Sequence, residues 1–77
     1  MSDTPEQIRA EMIRLFGDAP ATGDIRREDL AAWDSLRHVD LIFLVEEMFD
    51  IQLTEDEMAK ADSLSALAAL VDQHRAA

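Results

Sequence analysis

The sequence predicts an all-α fold, a four-helix bundle with a long first loop and a short third helix, over a single domain spanning residues 1–77. Three observations predict it. Apolar residues recur at helical spacing in three stretches. Capping signals stand at the starts of those stretches and of a shorter one. The one segment that alternates, Ile51-Gln52-Leu53, is too short for a sheet and has no strand partner elsewhere. Hydrophobic residues make up 48% of the chain, which favours one modest packed core over disorder.

Each element has its own justification. Thr4 stands as a cap, Pro5 suits the first helical position, and Gln7 completes a capping box. Ile8, Met12, Leu15 and Phe16 then line one face, and Gly17 stops the helix. Residues 17–34 form a long connection holding Gly17, Gly23 and Pro20, and loops of this length are often functional. Ile25, Leu30 and Trp33 are expected to pin it to the core, with a short helical turn over residues 27–31. The second helix is expected from Ser35 to Phe49, with Asp34 as its cap. A short third helix starts after Thr54, whose capping-box partner is Glu57. The fourth starts near Asp62 or Ser63 and carries the stripe Leu64, Leu67, Ala68 and Val71. No internal repeat or low-complexity tract is visible.

The charge balance excludes several functions. Seventeen acidic against seven basic residues give a formal net charge of -10. Nucleic acid and anionic membrane surfaces are therefore poor partners, and basic protein surfaces are the natural ones. The absence of cysteine removes disulfides, thiolate metal sites and a cysteine nucleophile, and no metal site is predicted. The start Met1-Ser2-Asp3-Thr4-Pro5 is polar, without an apolar signal-peptide region, and no apolar run reaches the length of a membrane span. A soluble cytoplasmic monomer is the expectation.

The second helix has two faces. At about 100° per residue, Leu41, Ile42, Leu44, Val45, Met48 and Phe49 fall on one arc, the core face. Asp40, Glu46, Glu47 and Asp50 fall on the opposite arc, with Leu36, Val39 and Phe43 between them. A solvated charged face with stray apolar residues fits this pattern. A docking surface fits it too: apolar side chains give contact area, and carboxylates steer a basic partner.

Ser35 opens this helix. A serine hydroxyl needs an activating base, and the sequence offers only His38 and His74. No Gly-x-Ser-x-Gly elbow surrounds Ser35, and a chain of this size has little room for a substrate pocket, so catalysis by Ser35 is disfavoured. His38 reads as a surface or helix-end residue, and His74 as a favourable charge on the last turn. A covalently attached phosphate suits the position, because the first turn of a helix has unpaired N–H groups that favour an anion. Asp34 would be the adjacent acid, able to cap the helix and to hold a metal-bound donor for a partner enzyme. Asp34-Ser35 is also an ordinary start for a helix. The tripeptide recurs as Asp62-Ser63-Leu64, but the helix behind it has no carboxylate until Asp72, so Ser63 reads as a cap only.

The stretch Asp34-Ser35-Leu36-Arg37-His38-Val39-Asp40-Leu41-Ile42-Phe43-Leu44-Val45-Glu46-Glu47-Met48-Phe49-Asp50-Ile51, with the short helix after Thr54-Glu55-Asp56-Glu57, resembles the acyl carrier proteins and the related peptidyl carrier domains. The resemblance covers essentially all four helices. It implies 4'-phosphopantetheine, derived from coenzyme A, on Ser35, beside Asp34. It implies partner docking through Leu36, Val39, Asp40, Phe43, Glu46 and Glu47. The implied partners are a phosphopantetheinyl transferase and acyl- or aminoacyl-activating and transferring enzymes with basic docking surfaces. The implied role is a non-catalytic carrier of thioester-bound intermediates in fatty acid, polyketide or nonribosomal peptide biosynthesis. Ala32 stands where the family often has glycine, and Trp33, Arg37 and His38 look more like discrete carriers of specialised pathways. A small acidic helical interaction module without a prosthetic group is the alternative that the same helix face allows.

Overall fold

The computed structural model describes residues 3–76. Among them run α1 (Thr4–Phe16), a 3-10 turn (Arg27–Asp29), α2 (Ser35–Phe49), α3 (Glu55–Lys60) and α4 (Leu64–Ala76). The fold is the expected all-α bundle, with the long first connection and the short third helix in place. The helical turn in the long connection is shorter than the stretch 27–31 that the sequence suggests. No strand forms among the described residues, although an isolated antiparallel bridge joins Arg26 to Ser63.

The start of α1 corrects the sequence reading. Thr4 is the first helical residue rather than the cap, and Asp3 precedes it without a side-chain capping bond. The buried Thr4 hydroxyl instead donates to Asp72 Oδ1 on α4 at 3.1 Å. A threonine here joins two helices because α4 sets a carboxylate across from it, and the Gln7 backbone N–H is met by the Asp3 carbonyl at 3.0 Å. Gly17 ends the helix as expected: its φ of 84° is a conformation that suits glycine, and its N–H reaches the Ile13 carbonyl at 2.9 Å.

One core draws on every layer. Ile8, Met12 and Phe16 of α1 meet Leu41, Ile42 and Val45 of α2 and Leu64, Leu67, Ala68 and Val71 of α4. Ile25 and Trp33 from the long connection are fully inside, and Leu30 packs partly against them. Leu53 and Ala61 close the core beside α3, which itself contributes the half-buried Met58. Of the expected core arc of α2, Leu41, Ile42 and Val45 are buried, while Leu44, Met48 and Phe49 are half-buried. Phe49 lies under the Arg75 guanidinium, 5.6 Å from its ring centre.

Polar ties, as well as its apolar residues, hold the long connection. Arg9, buried on α1, donates Nη1 to the Pro20 carbonyl at 2.8 Å and Nη2 to the Gly23 carbonyl. Its Nε lies 3.7 Å from Glu6 Oε2, an ion pair beyond hydrogen-bond reach. On the far side, Leu64 N–H donates to the Ile25 carbonyl at 2.7 Å, and Arg27 N–H to the Asp62 carbonyl at 2.8 Å. The connection is thus strapped between α1 and the start of α4.

Candidate functional site

Ser35 occupies the first position of α2, and its residue is exposed. Asp34 before it is extended, with φ of -90° and ψ of -177°, so its carboxylate folds back over the first turn. Asp34 Oδ1 accepts from the Arg37 N–H at 2.9 Å, and Oδ2 lies 3.4 Å from Arg37 Nη1. Capping is therefore done by the aspartate, which leaves the serine hydroxyl out of the helix's own hydrogen bonds. The Ser35 Oγ has one protein neighbour at hydrogen-bond range, Arg27 Nη2 at 3.5 Å.

His38 is half-buried near the start of α2, and its ring nitrogens are turned to groups other than Ser35. Its Nδ1 accepts the indole N–H of Trp33 at 2.9 Å, and its Nε2 faces the Met58 carbonyl at 2.9 Å. An indole N–H only donates, so Nδ1 is the bare nitrogen and Nε2 carries the proton donated to Met58. Both nitrogens are used in joining the long connection to α2 and α3. Trp33 also lies against Phe16, at 5.4 Å between ring centres, with the His38 ring centre 6.0 Å away. The imidazole so engaged has both nitrogens turned to groups other than the Ser35 hydroxyl, which a serine nucleophile would need it to face.

The face running away from Ser35 is apolar and acidic together. Leu36 is 74% exposed, Val39 48% and Phe43 62%. Asp40 and Glu47 are exposed beside them. Glu46 is half-buried, and its Oε2 accepts the Leu53 N–H at 2.8 Å, so it also holds the loop after α2. Asp50 ends the helix in the left-handed conformation, with φ of 54°.

The second Asp-Ser-Leu tripeptide is built differently. Ser63 Oγ accepts the Ala66 N–H at 3.0 Å, so this serine is itself the cap of α4. Asp24 reaches in from the long connection: its Oδ1 accepts the N–H groups of Ser65 and Ile25, each at 2.9 Å, and its Oδ2 accepts the Ser65 hydroxyl at 2.9 Å. Partial burial pushes this carboxyl up, but the Ser65 and Ile25 hydrogen bonds and the nearby Arg26 charge outweigh it and hold the group below its ordinary value. Glu57 is likewise lowered, first by the Thr54 N–H of the capping box and then by His74, whose Nε2 is 3.0 Å from both its oxygens. Asp24 escaped the sequence reading because it acts on α4, 41 residues on, and Arg27 because its reach to Ser35 depends on the course of the aperiodic connection.

Fold and site together define a small helical bundle that presents a serine outside the capping bonds at a helix start, bordered by an exposed acidic and apolar face. Over its whole length the chain is similar to an acyl carrier protein of Zymomonas mobilis, at 29% identity over 79 aligned residues, covering 99% of this chain and 100% of that protein. The resemblance to the acyl carrier proteins is borne out by that match. No protein-family model matches the chain, and no solved structure matches it. No helix among the described residues is long and apolar enough to cross a membrane.

Proposed function

We propose that this protein is an acyl or aminoacyl carrier that bears 4'-phosphopantetheine on Ser35 and presents its cargo to partner enzymes. The observation that carries the reading is the exposed Ser35 hydroxyl, free of capping duty, at the head of the acidic and apolar face of α2. The full-length similarity to an acyl carrier protein supports it. The residues suit the group: Ser35 is exposed, and the Arg27 guanidinium reaches its Oγ at 3.5 Å.

A phosphopantetheinyl transferase supplies the activating base. The Ser35 oxygen forms a bond to the phosphopantetheine phosphorus of coenzyme A, the pyrophosphate bond breaks, and 3',5'-adenosine bisphosphate leaves. The hydroxyl proton passes to the transferase. The attached arm supplies a terminal thiol that holds acyl or aminoacyl groups as thioesters. The chain's own part is presentation. Asp34, the residue before Ser35, fixes the first turn, while Leu36, Val39 and Phe43 offer contact area. Asp40, Glu46 and Glu47 attract basic partner surfaces.

The test is incubation of the purified protein with coenzyme A and a broad-specificity phosphopantetheinyl transferase, read by intact mass. The wild type is expected to gain one arm and Ser35→Ala none. A wild type that gains nothing overturns the reading, and leaves an interaction module that docks through Phe43 without a prosthetic group.

A further inference from the structure

Arg27 is the cation that the fold delivers to Ser35. It lies in the 3-10 turn of the long connection, half-buried, eight residues before the serine. Its Nε donates to the Trp33 carbonyl at 3.3 Å, and its Nη2 stands 3.5 Å from Ser35 Oγ. The Trp33 ring is in turn locked by Phe16 and His38, so the anchor of the guanidinium is itself fixed. Arg27 makes no ion pair among the described residues. Its neighbours do: Arg26 pairs with Glu28, and Arg37 with Asp34. In a chain of net charge -10, a guanidinium without a carboxylate partner among the described residues, beside a serine that its own helix does not use, calls for an anion.

What Arg27 meets now is a neutral hydroxyl at the outer limit of hydrogen bonding, a weak use of a five-donor group. A phosphodiester on the same oxygen adds anionic acceptors, and charge-assisted bonds to such oxygens are roughly twice as strong as neutral ones. We propose that Arg27 is a phosphate-binding residue, whose guanidinium holds the phosphodiester joining Ser35 to its arm and so ties the root of the arm to the loop before α2. The ligand is a phosphodiester esterified to this chain. The inference rests on the carrier reading, since it needs Ser35 loaded.

The experiment is a four-state cycle: thermal midpoints of the unloaded and loaded forms of wild type and of Arg27→Gln, at low salt. Loading is expected to raise the wild-type midpoint by roughly 2–5 °C more than it raises that of Arg27→Gln, the size expected for an exposed ion pair in a small domain. The difference should shrink in concentrated salt. Arg27→Lys keeps the charge but not the planar fork, and should retain part of the gain. A purely structural role for Arg27 lowers both forms equally, and equal gains on loading in wild type and variant overturn the proposal while leaving the carrier reading intact. A wild type that never loads overturns both. Should Arg27→Gln fail to fold, the phosphorus-31 resonance of the loaded protein decides: it should differ between wild type and Arg27→Lys, and an identical resonance in the two sinks the proposal.

Discussion

At the scale of single residues, His38 shows how a polar side chain can organise the approach to a site without taking part in its chemistry. It holds Trp33 on one side and Met58 on the other, and Trp33 carries both the carbonyl that orients Arg27 and the peptide bond leading into Asp34 and Ser35. His38→Phe fills similar space but leaves a buried indole N–H and a carbonyl without partners. The expected loss is about 1–3 kcal/mol, measured by urea unfolding. A variant as stable as wild type would mean that water replaces both bonds at no cost. This role was not legible from residue order alone. His38 lies on the same helix as Ser35, but its partners are five and twenty residues away, and only the packed fold brings them together.

At the scale of elements, the helices themselves were legible and the ties between them were not. Apolar spacing and the Thr54–Glu57 capping box marked α1, α3 and α4, and Asp34 marked the start of α2, because these signals are local. Residues 17–34 have no periodicity, so their course was opaque, together with the duties of Arg9 and Asp24. Asp24 lends α4 a second cap from the long connection, and removing it tests whether that tie matters. Asp24→Ala should cost about 1 kcal/mol at neutral pH, the usual scale for a lost cap. The sign with pH follows from its lowered folded-state pKa. The contribution is complete above the unfolded value near 3.8 and fades as the pH falls through the lower folded one, so the gap between wild type and variant should narrow in strong acid. A gap that widens on acidification would show that the carboxylate is not the stabilising form. Thr4 marks the limit of local signals, since its hydroxyl chose Asp72 over its own helix end.

At the scale of the whole molecule, a net charge of -10 and an exposed apolar stripe underlie the proposal that basic partners dock on this face. If the carboxylates steer docking, loading by the transferase should slow as ionic strength rises, since exposed charges are screened within about 10 Å at 0.1 M salt. Phe43→Ala should slow loading further at every salt concentration. Its effect on stability should stay within about 0.5 kcal/mol, because the ring is 62% exposed. A loading rate indifferent to salt and to Phe43 would remove docking from this face. The face was legible because helical geometry alone separates Phe43 from Val45. The Arg27 contact with Ser35 was not, because it depends on where the long connection runs.

The chain carries its own control for the central claim, two Asp-Ser-Leu tripeptides that the fold treats differently. Peptide-level mass spectrometry after exposure to coenzyme A and the transferase reads both at once. The expected result is one arm on Ser35, whose hydroxyl is spared by the Asp34 cap, and none on Ser63, whose hydroxyl caps α4. An arm on Ser63, or bare serines at both positions, would contradict the carrier reading.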